Sequence, residues 1–319
     1  YDFLGISTSH DDTAVDVFVY DTTKDSDGGE WRKRTSHTSW YNETLNTATR
    51  GSRREFPSVA VIVAEASQVT IYDGDDPDLP MWMVFYQSTS YIIYTSVSSV
   101  SMLNGKLVVG VDPNTTNNYW DGGIKVFDFI SEYIRGYSWN HSPAPYYLNI
   151  SERNYTNAQS RANYTNERGI LSNPNCNDVA MTVLPNAPID DATGLPVPTI
   201  AVATDGGASF IRDDGNVYDY TFSSQNGSKV WEITFDENYQ VNMLLGYSNV
   251  YPYTCYQAPV PGADTSLTST TNHRLLSNAT YNFNQIAYKA DNSPGDQIDH
   301  FIDSKYFGTT HGSFVFDSQ

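Results

Sequence analysis

The chain has 319 residues, 39% of them hydrophobic, and a formal net charge of -19 from 37 acidic against 18 basic side chains. That length can bury a large core, while that charge repels phosphate backbones and excludes nucleic acid as a natural partner. No run of about 18 apolar residues occurs, which excludes insertion as a membrane-spanning helix, and the 24 tyrosines in a 14% aromatic composition favour strands over helices.

In chain order, residues 13–20 alternate apolar and polar and predict a strand with one buried face. Residues 25–34 read as a loop around Gly28-Gly29, and residues 37–55 form a second polar stretch. Residues 56–64 predict a central strand with Pro57 at its start, where a missing N–H is tolerated. Residues 69–72 predict its hairpin partner, and residues 81–86 another strand after the dense turn at 74–80. Asn104-Gly105 between apolar flanks is the strongest hairpin signal in the chain. Residues 108–111 and 122–129 predict a pair of strands. The stretch that follows is rich in Tyr and Asn without clean periodicity, so residues 133–168 are expected to form an irregular insertion outside the core with a contact role. Strands resume at 179–184, 199–204, 208–212 and 217–222, and no long amphipathic helix is visible.

One phrase recurs: alternating apolar residues running into an aspartate, twice after Gly-Gly. It stands at residues 15–21, 122–129 and 206–220, with echoes at 69–75, 230–237 and 312–318. Strand groups recur about every 40 to 60 residues. The expectation is an all-β chain forming a single propeller-like domain over residues 1–319, closed as a ring of six or seven blades.

Several stretches resemble a family of propeller-like proteins encoded by aquatic bacteriophages and known from environmental sequences. They are residues 14–29, 32–85, 101–110, 122–131 and 177–215, about half of the chain. The resemblance implies a structural, virion- or fibre-associated protein and no established catalytic residue. Residues 133–168 and much of 247–290 depart from it.

The chemistry-bearing motifs are few. Eight Asn-x-Ser/Thr triplets, at Asn42, Asn114, Asn140, Asn149, Asn154, Asn163, Asn226 and Asn278, are glycan acceptors on an exported chain. Cys176 and Cys255, the two cysteines, form one disulfide if the setting is oxidising. Asp73, Asp75, Asp76 and Asp78 crowd one turn but lack the spacing of a calcium loop. The six histidines show no zinc spacing, and neither a nucleophile elbow nor a phosphate-binding loop is present, so no cofactor and no enzyme activity are expected. Arg32, Arg34, Arg50, Arg53 and Arg54 are the one basic concentration, read as a subunit contact that meets an acidic surface on another copy, with the turn at Asp73–Asp78 as one receiver.

These readings converge on a non-catalytic, self-assembling subunit of an extracellular or virion-surface fibre, tube or particle. Its partners are then other copies of itself. The chain begins at Tyr1 without a leader, which reads as a processed chain or a part of a longer one. The alternative is a carbohydrate-binding propeller or glycoside hydrolase acting on surface glycans, with Trp40, Trp120, Trp139 or Trp231 as sugar platform.

Overall fold

The computed structural model describes residues 13–86, 92–93, 95–113, 122–139, 144–156, 171–222, 229–246 and 254–267, together with the backbone of four further short strands. Four sheets follow one another. The first holds β1 (Ala14–Asp21), β2 (Val59–Glu65), β3 (Gln68–Asp73) and β4 (Met81–Tyr86) in sequential order. The second holds β5 (Ser96–Leu103), β6 (Lys106–Asp112), β7 (Gly123–Asp128), β8 (Ile134–Tyr137) and β9 (Ala144–Tyr146). After β10 (Cys176–Thr182) a short ribbon of β11 (Ile189–Asp190) and β12 (Leu195–Pro196) intervenes. The third sheet then continues with β13 (Thr199–Thr204), β14 (Gly207–Ile211) and β15 (Val217–Phe222). The fourth is β16 (Lys229–Phe235), β17 (Gln240–Gly246), β18 (Thr254–Pro259) and, further on, β20 (Arg274–Leu275); β19 (Thr265–Leu267) crosses back to join the third in parallel with β15. A three-stranded sheet of β21 (His300–Asp303), β22 (Tyr306–Thr309) and β23 (Gly312–Val315) follows, with β21 against β16.

The first strand of each sheet is the innermost: β1 packs on β5, β5 on β10, and β10 on β16. Between successive sheets lie three apolar layers. Ile62, Ile71 and Phe85 of the first sheet meet Val97, Val109 and Phe127 of the second. Val108, Ile124 and Val126 meet Val179, Val202 and Ile211 of the third. Ala201, Ala203 and Phe210 meet Ile233, Val241 and Met243 of the fourth. Among the described residues the arrangement is therefore all-β and propeller-like with four blades, not six or seven.

The miscount has a physical cause. The repeated phrase marks two different places in a blade. It is the third strand at β3, β7, β14 and β23, but the first strand at β1 and β16. The Gly-Gly pairs belong to the third strand alone. Gly123 and Gly207 open β7 and β14 at φ 104° and 138°, where a Cβ would lie 2.2 Å from the carbonyl oxygen of Tyr137 or Tyr220 on the fourth strand. Only glycine fits that approach.

Other expectations hold. Asn104 and Gly105, at φ 50° and 71°, make the left-handed two-residue turn between β5 and β6. Two others do not. Residues 133–139 and 144–156 are no excursion: β8 and β9 extend the second sheet, and Ile134, Tyr146, Leu148 and Ile150 enter the first apolar layer; residues 140–143 and 157–168 lie outside the described residues. Residues 22–58, read as polar loops, form a buried wedge instead. Trp31, Trp40 and Phe56 are fully buried, and Trp40 and Phe56 stack edge-on against Trp82 and Phe129.

Candidate functional site: the central cavity

The four inner strands β1, β5, β10 and β16 line an open cavity of about 800 Å³. Each of these strands carries the same irregularity. The register with the second strand slips by one residue between Ala14 and Asp16, Val97 and Ser99, Cys176 and Asp178, and Val230 and Glu232. β21 repeats it before Asp303. A one-residue bulge re-aims the side chain that follows it, and that side chain is Asp16, Ser99, Asp178 or Glu232.

Three of these side chains bind the next blade. Asp16 accepts the backbone N–H of Val100 at 2.8 Å, Ser99 that of Val179 at 3.3 Å, and Asp178 that of Ile233 at 2.8 Å. In each case the donor is the residue just after the next blade's own bulge. Ser99 Oγ also lies 2.9 Å from Asp16 Oδ2 and 2.8 Å from Asp178 Oδ1. One hydroxyl proton cannot serve two carboxylates. Both contacts are hydrogen bonds only when a carboxyl carries a proton of its own. Burial between three blades, and then repulsion from Asp16, push the Asp178 pKa up to about 7, so Asp178 holds that proton below neutrality. What this array does chemically is join blades and share a proton.

The sequence signal for these residues was present but overlooked. The stretches A-V-D-V at 14–17, V-S-S-V at 97–100, C-N-D-V at 176–179 and V-W-E-I at 230–233 align on the acidic or hydroxyl residue, at a spacing too irregular to stand out.

The predicted site residues fall elsewhere. Arg50 is fully buried, over the Trp82 ring at 4.3 Å, and is closed to a second subunit. Arg53 is held by Asp73 and Asp75 of its own chain at 2.8 and 2.7 Å, so the acidic turn receives the arginine within one molecule. Burial opposes ionisation of Asp75, but hydrogen bonds from Ser58, then Arg53 and Val59, hold its carboxyl below the usual range. Arg34 pairs with Asp27, while Arg32 and Arg54 donate to the carbonyls of Phe56 and Tyr41. Among the described residues no three His, Cys, Asp or Glu side chains gather as a metal-holding group. Cys176 is a buried free thiol, and the side chain of its expected partner Cys255 lies outside the described residues.

Of the triplet asparagines, Asn154 spends its amide on β4, donating to Val84 O and accepting from Tyr86 N. Asn42 donates to Ser36 O and Thr38 O. Asn149 is exposed and caps the short turn Ile150–Glu152 with its side-chain acceptor. Asn114, Asn140, Asn163, Asn226 and Asn278 lie outside the described residues. Trp40 is fully buried and can be no sugar platform; Trp231 lies under Lys229, 3.5 Å from its ring; Trp139 is 41% exposed; Trp120 lies outside the described residues.

No family profile matches the chain, and no curated protein matches it. Among solved structures it is similar to the extracellular domain of the putative one component system BT4673 from B. thetaiotaomicron, at 11% identity and a TM-score of 0.22, over 61% of this chain and 32% of that one. The chain thus spans about a third of that protein's solved length. The fold assignment rests on the sheet order and the recurring bulges, not on this likeness.

Proposed function

We propose that the chain is a non-catalytic structural subunit of an extracellular or surface assembly. The observation that carries this reading is how the cavity's polar groups are used. Asp16, Ser99 and Asp178 bind neighbouring blades, whereas catalytic groups must be aimed at a substrate. Val15, Val17 and Val19 support it further: they stand on β1 at the mouth of this cavity and are 49%, 38% and 50% exposed, apolar surface that a neighbouring copy would cover. The resemblance to bacteriophage structural proteins points the same way. Light scattering after size exclusion, with electron microscopy across a concentration series, tests it. The expected result is growth into a closed or helical particle that Val17→Asp abolishes. A monomer at every concentration overturns the reading.

One observation favours carbohydrate binding as a second reading. Tyr133, Trp139 and Tyr147 are 42%, 41% and 66% exposed at the outer strands of the second blade. A glycan array probed with the full chain tests it, with selective retention expected and uniform background as the refuting result.

A further inference from the structure

Arg135 is treated unlike the other arginines whose side chains are described. Arg34, Arg50, Arg53, Arg153 and Arg212 pair with carboxylates, and Arg32 and Arg54 donate to backbone carbonyls. Among the described residues Arg135 has neither kind of partner. It stands half-buried on β8 with its guanidinium 5.3 Å from the Tyr133 ring centre and 5.8 Å from that of Tyr137. Its Nε is buried and unbonded. In a chain of net charge -19, a cation that has only the rings and hydroxyls of Tyr133 and Tyr137 as partners, and no carboxylate, is a vacancy for an anion.

The surroundings say what kind. Within β8 alternation puts Arg135 and the buried Tyr137 on one face, and the exposed Tyr133 and Trp139 flank the strand at its two ends. β9 pairs Pro145 with Arg135 and Tyr146 with Ile134, and one step further sets Tyr147 beside Tyr133. Tyr133 and Trp139 are six residues apart, a reach of at most about 20 Å. Aromatic faces at that spacing suit an oligomer of flat rings more than a single small anion. The chain's overall charge opposes a dense polyanion.

We propose that this edge of the second blade binds a sparsely charged acidic saccharide, its carboxylate on Arg135 and its ring faces on Tyr133, Trp139 and Tyr147. The proposal rests on the glycan-binding reading and narrows it. Guanidinium and carboxylate meet as a two-point pair, and the exposed rings carry the apolar faces of the sugars.

Calorimetric titration of the full chain with cellotetraose, a cellotetraose in which one ring is a glucuronic acid, and a tetrapeptide holding one glutamate tests it. The singly charged tetrasaccharide should bind, weakening as salt rises, and about tenfold more tightly than cellotetraose, the worth of one charge-assisted pair. Arg135→Gln should lose that tenfold. Trp139→Ala should weaken both sugars alike, with an unchanged melting temperature as the check on folding. Tight binding of cellotetraose that Arg135→Gln leaves unchanged overturns the acidic site but spares the glycan reading. Binding of neither sugar overturns both. Equal, Arg135-dependent binding of the peptide overturns the saccharide assignment.

Discussion

The contact between the first and second blades and the contact between the third and fourth are built on the same plan with opposite materials. The first is thick: Trp31, Trp40, Phe56, Trp82, Phe85, Phe127 and Phe129 fill it, and the wedge of residues 22–58 adds a third layer. The second is thin in side-chain volume: Ala201, Ala203, Ala208 and Ala258 share it with Phe210, Tyr220, Met243 and Leu245, and no tryptophan enters it. A thick interface accommodates polar chains inside it, because side chains long enough to cross it can reach partners on both sides. Arg153 shows this. It donates to Val84 O, Thr49 O and Glu43 Oε1, all at 2.7–2.8 Å, and lies over Phe85. Arg50 shares the same glutamate at 3.6 Å, and burial draws the Arg50 pKa down to about 10. The same wedge grips the β5–β6 turn. Asp25 accepts from Trp31 Nε1, from the Asn104 backbone and from the Tyr20 hydroxyl, while Asn104 holds Ser26 and Pro196 O.

The largest effect expected from this contrast is at the buried ions. Glu43→Ala strands two arginines in the thick interface and should cost about 3–5 kcal/mol in denaturant unfolding. A loss below about 1 kcal/mol would mean that the wedge is dispensable to the first two blades. Next comes the thin interface, where added volume has nowhere to go. Ala203→Leu should cost about 1–3 kcal/mol, while enlarging Val109 to Leu in the thick layer should cost less. Equal costs would erase the distinction.

A smaller effect belongs to the proton shared across β1, β5 and β10. Asp178 holds its proton more tightly folded, at about 7, than unfolded, at the ordinary carboxylate value of 3.8. Its contribution is therefore complete below about pH 4 and declines as pH rises from there to about 7, flattening above. Solvent reaching Asp178 from the cavity reduces the loss to on the order of 1–2 kcal/mol. Asp178→Asn, which donates to Ser99 at every pH, should remove this decline from a melting-temperature profile. An unchanged profile would place the proton elsewhere. Smallest is Arg53→Glu, on a partly exposed pair at the edge of the first blade. A cost below about 1 kcal/mol that shrinks in salt is expected, and a salt-independent cost would show the pair to be effectively buried.

Strand identity was legible because it depends on local alternation. β4, β13 and β15 span the residues the pattern predicts, and the Asn104-Gly105 turn forms where its backbone preference places it. The wedge was not legible. Its tryptophans are spaced by the shape of a cavity between two sheets, which has no period along the chain. The arginines misled for a related reason: Arg53 and its carboxylates are 20 and 22 residues apart, and nothing local distinguishes a partner in the same molecule from one in the next.

By itself, then, the sequence determined an all-β chain, most of its strands and its tight turns, since these follow from side-chain alternation and from the φ values open to glycine and asparagine. Tertiary structure alone decided how many strands make a blade, and so that the described residues form four blades. It also decided that Asp16, Ser99 and Asp178 meet around one cavity. Those residues are about 80 positions apart, and a one-residue bulge turns each toward its neighbour only when successive sheets pack face to face.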